Sequence, residues 1–167
     1  MPASTPPSIR GALPEDRLPI YRMLELYQYE LSDIWDQDLD GHGEFGYALD
    51  RYFQSSNCKA FVALVAGKYA GFALADRATK VAADGNWMDQ FFVLKKYRRV
   101  QVGATLARAV FEALPGYWEV GQMPANLPAQ AFWRRTIGEF SDNAHTEHAI
   151  TAGWWQGIVQ AFNSPPK

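Results

Sequence analysis

The densest basic cluster in the chain is Lys95, Lys96, Arg98 and Arg99, and it runs directly into Val100-Gln101-Val102-Gly103-Ala104-Thr105. From Val102 onward, Leu106, Ala109, Val110, Ala113 and Leu114 recur as one helical face. The basic run therefore stands at a helix start, where backbone amides lack intrahelical partners and the dipole end is positive. That arrangement suits a phosphate. Gly103 and Ala104 are small enough for a ligand to approach the main chain, and Arg98 and Arg99 add phosphate-pairing charge. A basic helix cap without a ligand is the competing reading. Asp89 lies on the apolar segment just before this cluster and shares a strand face with Phe91 and Val93. As a carboxylate it could take a proton from a reacting group, or make a structural hydrogen bond near a strand start.

A feature of opposite sign lies upstream. From Leu24 to Asp50 there are eight acids (Glu25, Glu30, Asp33, Asp36, Asp38, Asp40, Glu44, Asp50) and no Lys or Arg. They could attract a cationic ligand or simply solvate a surface. Tyr27, Tyr29, Trp35, Phe45 and Tyr47 could add cation–π contacts there or build core. Asp36-Gln37-Asp38-Leu39-Asp40-Gly41 opens like a calcium loop, but the twelfth position is Tyr47 where a bidentate Glu is required. His145-x-x-His148 with Glu147 reads as a surface pair, so no metal is expected. Cys58 is the one cysteine, which excludes an internal disulfide and a Cys-based zinc site.

These residues need elements to hold them. Helical periodicity runs from Pro14 to about Ser32 through Ile20, Leu24, Tyr27 and Leu31, and a second helix is predicted over Glu44–Phe53 with Phe45, Leu49 and Tyr52 on one side. Lys59–Ala66 and Tyr69–Ala75 read as a hairpin turning at Gly67-Lys68. Trp87–Leu94 reads as an apolar strand after an Asp84-Gly85-Asn86 turn. After the basic loop and its helix, which Pro115-Gly116 ends, come a strand at Tyr117–Met123, a helix at Asn126–Thr136, and strands near Ala144–Ala152 and Trp155–Asn163. The order α-α-β-β-β-α-β-α-β-β predicts an α+β (mixed α/β) domain. With 167 residues, 48% of them hydrophobic, one domain spanning 1–167 is expected, with loose tails at 1–8 and 164–167. The Gly153-Trp154-Trp155-Gln156-Gly157-Ile158-Val159 run reads as sheet core or the face of a homodimer.

Charge and hydropathy narrow the function classes. The net charge is −2, divided as −5 over residues 1–92 and +3 over 93–167, so nucleic acid is not an expected partner. No apolar run spans a membrane and the first residues lack a signal-peptide core, so a cytoplasmic protein with no membrane partner is expected.

The run FFVLKKYRRVQVGATLA resembles the acetyl-CoA-binding motif of the GNAT acetyltransferase superfamily, Gln/Arg-x-x-Gly-x-Gly/Ala after a strand and opening a helix. Arg98 takes the first position and Gly103 the last, while Gln101 replaces the first Gly. A second run, Pro115–Val120 followed by Asn126-Leu127-Pro128-Ala129-Gln130-Ala131-Phe132-Trp133, resembles the family's next strand and helix. The resemblance implies a mixed, mostly antiparallel sheet splayed between its two central strands and flanked by helices. It implies a pantetheine arm in that gap, pairing with the backbone of Phe92, Val93 and Leu94. Amides from Arg99 through Val100, Gln101, Val102, Gly103 and Ala104 to Thr105 would hold the pyrophosphate. Asn126, Phe132 and Trp133 would line the far side of the cofactor.

The expected activity is N-acetyl transfer from acetyl-CoA to an amine acceptor by direct transfer in a ternary complex, with no metal. The acceptor would be a small molecule or peptide, and a cationic one if the acid cluster borders its mouth. Asp89 is the expected base. Many relatives have a Tyr acid where this chain has Trp133, and indole cannot supply that proton. Tyr117, His145, His148 or water stand as alternatives. A non-catalytic acyl-CoA-binding module of the same fold is the other reading.

Overall fold

The structure is a computed structural model and describes residues 5–167. Of the N-terminal tail expected over 1–8, residues 1–4 lie outside the described residues. The elements in chain order are β1 (Ser8–Gly11), a 3-10 turn at Pro14–Asp16, α1 (Arg17–Trp35), α2 (Arg51–Gln54), β2 (Lys59–Val65), β3 (Lys68–Asp76), β4 (Asn86–Val93), a 3-10 turn at Lys95–Tyr97, α3 (Val102–Ala113), β5 (Gly116–Gln122), α4 (Leu127–Ser141), β6 (His145–Ile150) and β7 (Gly157–Ser164). The strands form one seven-stranded sheet in the order β1-β2-β3-β4-β5-β7-β6. The β1/β2, β5/β7 and β6/β7 ladders are antiparallel, whereas β4 and β5 run parallel. The expected mixed, mostly antiparallel sheet flanked by helices is therefore present. The β4/β5 ladder is confined to Asn86↔Trp118 and Trp87↔Glu119. No described helix is long and apolar enough to cross a membrane.

Contacts group the chain into two compact units. The first comprises residues up to Leu74 together with Gln90–Leu106. Its core sets Ile20, Met23 and Leu24 of α1 against Leu49, Tyr52, Val62, Phe72, Leu74 and Phe92, all buried. The α1 periodicity is thus the face that leaves water. Each such aliphatic or aromatic side chain gains roughly 1.5–3 kcal/mol on burial. A left-handed Asp36 (φ 48°) ends α1, its amide donating to Ser32 O. The second unit, Ala75–Asp89 with Ala107–Lys167, packs around Phe111. Its ring lies 4.8 Å from Phe162, 5.0 Å from Trp118 and 5.1 Å from Phe140. The six Trp of the sequence are thus partly core: Trp118 has no exposed surface.

Two local expectations are corrected. The second helix shrinks from Glu44–Phe53 to Arg51–Gln54. Gly46 takes φ 76°, and Glu25 of α1 reaches across to accept from the amides of Phe45 (2.9 Å) and Gly46 (2.8 Å). A carboxylate bound to those amides holds the segment out of a helical ladder. Leu49 and Tyr52 are still buried, as their spacing demanded. Strand β1 was not expected. It pairs with β2 from Ser8↔Leu64 to Gly11↔Phe61 and is anchored by Arg10, whose guanidinium binds Asp16 at 2.5 and 3.1 Å.

Candidate functional site

The loop after β4 belongs to the first unit. The Leu94 amide donates to Ala70 O at 2.8 Å, the 3-10 turn follows, and Arg98 is extended at φ −76°, ψ 155°. Arg99 (φ 64°) and Gln101 (φ 68°) are both left-handed, a conformation that costs an L-residue roughly 1–2 kcal/mol. Gln101 stands where the motif it resembles has Gly, and its backbone keeps the conformation that Gly would supply without strain. Helix α3 then begins: the Thr105 amide donates to Gln101 O at 3.0 Å. Among the described residues, the amides from Arg99 to Ala104 donate to no protein acceptor. A left-handed residue abutting a helix start gathers successive N–H groups into an anion-binding concavity. Strain of this kind concentrates at functional loops.

Arg98 does not aim its charge into that loop. Its Nε donates to Val93 O at 2.8 Å, and its two terminal nitrogens pair with Glu30 Oε1 (2.6 Å) and Oε2 (2.7 Å). The guanidinium also lies 5.7 Å from the Phe92 ring centroid. The Arg98 hydrogen bonds hold the Glu30 carboxyl below its usual range. The side chain expected to pair with phosphate thus clamps α1 to the end of β4 and fixes where the loop starts. Arg99 is exposed and forms no ion pair among the described residues.

Phe92, Val93 and Leu94 sit at the end of β4. Phe92 and Val93 are buried, and the Phe92 ring is 5.9 Å from Phe72 and 5.8 Å from Tyr27. Gly71 of β3 permits this approach, because a Cβ there would stand 2.3 Å from Phe92 O and 3.2 Å from Val93 Cα.

Most of the acid cluster is committed within the first unit. Glu25 caps two amides, Glu30 binds Arg98, and Asp40 accepts from the amides of His42 and Glu44. Glu44 accepts from Tyr21 Oη at 3.2 Å, and Asp50 accepts from Arg17 Nε at 2.9 Å. These bonds organise the long α1–α2 connection.

In the second unit, Asp89 is half-buried on β4. Asn126 is the N-cap of α4, its side chain accepting from the Ala129 amide at 3.3 Å. Phe132 and Trp133 stack edge to face at 4.9 Å, and Trp133 is 5% exposed. Tyr117 donates to Glu119 Oε1 at 2.9 Å, and burial together with that bond pushes its phenol up to about 12. It is a poor proton donor at neutral pH. His145 and His148 share with Tyr117 the lining of a shallow hollow of about 490 Å³ over β6 and β7. Among the described residues no group of three or more His, Cys, Asp or Glu could hold a metal.

Glu119 is the residue that sequence reasoning passed over. It has no exposed surface, and its carboxylate accepts from the amides of Lys80 (2.5 Å), Val81 (3.0 Å) and Ala82 (2.7 Å). The signal was an acid set among the apolar residues of β5, Tyr117-Trp118-Glu119-Val120.

A family model described as acetyltransferase (GNAT) family matches residues 20–138. No curated protein matches the chain at a significant level. The chain is similar to the PaiA N-acetyltransferase of Thermoplasma acidophilum, solved with coenzyme A, at TM-score 0.65 and 11% identity over 95% of this chain and 99% of that one. It is similar to the aminoglycoside acetyltransferase AAC(6')-Ib, also solved with coenzyme A, at TM-score 0.66 and 14% identity over 95% of each chain. The ribosomal-protein-S18-alanine N-acetyltransferase of Escherichia coli matches at TM-score 0.61 and 15% identity over 95% of this chain and 94% of that one.

Proposed function

The chain belongs to the GNAT family of acetyltransferases, and from that footing we propose that it transfers an acetyl group from acetyl-CoA to an amine acceptor, directly and within a ternary complex. The observation that carries the donor half is the run of unpaired amides from Arg99 to Ala104 at the start of α3. They fit a diphosphate: the donors are preset by two left-handed residues, and the adjoining helix end is positive. Acetyl-CoA would supply the activated acyl carbon. Arg99, Val100, Gln101, Val102, Gly103 and Ala104 would bind its pyrophosphate through the main chain, whereas the Thr105 amide is committed to Gln101 O. Phe92 and Val93 would offer strand backbone to the pantetheine arm, the Leu94 amide being given to Ala70 O. Arg98 contributes position through Glu30. Asn126, Phe132 and Trp133 are the proposed lining on α4.

Direct transfer fits the chain's nucleophile inventory. Cys58 is buried in the α1 core cluster and cannot receive an acyl group from outside. Asp89 is the proposed base, taking the ammonium proton so that the amine can attack. Trp133 supplies no acid and Tyr117 holds its proton, so the departing thiolate would take its proton from His145, His148 or water.

Acetyl-CoA binding is expected to raise the melting temperature, by about 2.7 kcal/mol of added stability at 100 times Kd. Free thiol release with an amine panel reads turnover. Gly103→Asp places bulk and negative charge at the anion loop and is expected to weaken CoA binding by more than about tenfold. Unchanged binding would overturn the site. Asp89→Asn is expected to lower turnover about 100-fold with CoA affinity kept. Stabilisation by acetyl-CoA with no thiol release across the panel would instead establish a binding module, the reading that Trp133 favours.

A further inference from the structure

The second unit holds a cluster that the reading above does not use. Lys80 comes from the connection between β3 and β4. Its Nζ lies 3.8 Å from the ring centroid of Trp87, 5.3 Å from Trp154 and 5.8 Å from Trp155. Trp87 and Trp155 meet edge to face, 5.4 Å apart at 90°. A cation within about 6 Å of an aromatic face is attracted by the ring quadrupole, and several rings around one cation form an aromatic cage for alkylammonium groups.

The cage is built into the backbone. A Cβ on Gly121 would meet Trp87 at 2.4 Å and Trp155 at 2.7 Å, and one on Gly157 would meet Trp155 at 2.8 Å. Two glycines on neighbouring strands thus make room for two indoles. Asp76, Asp89 and Glu119 all act on the Lys80 ammonium through their charge, so the cage sits in a negative field. One wall is open: Trp154 is 89% exposed and follows a left-handed Gly153 at φ 96°. An indole presented to water beside a cation does not serve core packing.

Lys80 fits this place imperfectly. Its Nζ donates to Ala78 O at 2.5 Å, the one hydrogen bond its ammonium makes among the described residues. Burial lowers its pKa despite three carboxylates that raise it. A primary ammonium gives up strong hydration to sit among rings, whereas an N-alkylated cation has little to give up.

We propose that Trp87, Trp154 and Trp155 form a recognition subsite for an alkylammonium acceptor, and that Lys80 is its internal occupant, displaced when such a ligand binds. The proposal rests on the reading of the chain as an amine acetyltransferase and names the class of that amine: a cation with apolar N-alkyl surface. The acid cluster of the α1–α2 connection is not needed for it.

The test separates binding from chemistry. Choline has no N–H to acetylate, and 3,3-dimethyl-1-butanol is its neutral counterpart. Both are titrated into the full chain without acetyl-CoA, following the indole N–H signals by NMR. Lys80→Ala vacates the cage and is expected to bind choline about 10-fold tighter than the unaltered protein, with the alcohol bound far more weakly. Trp154→Ala removes an exposed ring that the fold does not need, and in the Lys80→Ala background it is expected to reverse that gain. Equal choline affinity with and without Lys80, or equal binding of alcohol and choline, would overturn the proposal. If transfer alone were misread, choline would still bind while no amine released thiol. If the cage alone were misread, amines would release thiol with no dependence on Trp154.

Discussion

Asp16 has no surface in water, and a carboxylate so placed stays charged only where its lone pairs are met. Arg10 (2.5 and 3.1 Å), Tyr69 Oη (2.6 Å) and the Leu13 amide (2.7 Å) meet them. The Arg10 hydrogen bond leads in holding its pKa at about 2, against the burial that opposes it. A carboxyl held below its unfolded value stabilises the fold at every pH above that value, and the contribution disappears as pH falls through the folded value. Stability is therefore expected to drop by roughly 2 kcal/mol between pH 4 and pH 2 on account of this group. Asp16→Asn is expected to remove that part of the acid limb and to lose stability at pH 7, as read by urea unfolding at both pH values. A variant with an unchanged acid limb would assign that limb to other carboxyls, Glu30 and Glu147 among them, both held low by arginine partners. None of these pairings could be read from sequence. Arg10 and Tyr69 are far apart in the chain, and Glu30 meets Arg98 across 68 positions.

At the scale of elements, the loop between β4 and α3 poses the sharpest question. Gln101 bears a left-handed backbone that glycine would adopt freely. Gln101→Gly is expected to leave CoA binding intact and to stabilise the protein by up to about 1 kcal/mol, seen as a melting point a few degrees higher. A lower melting point would mean that the Gln side chain contributes more than its strain costs. Elements with a strong local signal were legible. The α1 face, the α3 face and the β2–β3 hairpin all carried period and turn chemistry, although the hairpin turns at Ala66-Gly67, one residue before the expected Gly67-Lys68, because Lys68 already belongs to β3. Where the deciding partner was distant, the sequence was silent. Four residues after a Pro-Pro pair become β1 because β2 and Asp16 receive them. Glu44–Asp50 leave the helical ladder as Glu25 binds the Phe45 and Gly46 amides and Asp40 binds that of Glu44. The candidate site followed the same rule: the β4–α3 loop was singled out by its small residues and neighbouring charges, while the pairing of Arg98 with Glu30 and the cluster of Lys80, Trp87 and the β6–β7 tryptophans were not.

For the whole molecule, composition fixed less than the order of elements. A net charge of −2 argued only against a generic polyanion partner, whereas strand, basic loop and helix in sequence pointed to a family. The sheet has two outer strands, β1 and β6. The first is only four residues long. The second has six, His145-Thr146-Glu147-His148-Ala149-Ile150, and Glu147 is tied to Arg134 at 2.8 and 3.1 Å. An unguarded edge is a template for another chain, and shortness or charge blunts it. Glu147→Val with Ala149→Val would leave β6 smooth and greasy. That double variant is expected to self-associate with rising concentration in sedimentation velocity, where the unaltered chain shows no comparable growth. The charged and small residues of one outer strand would then be what keeps these molecules apart in a crowded solution.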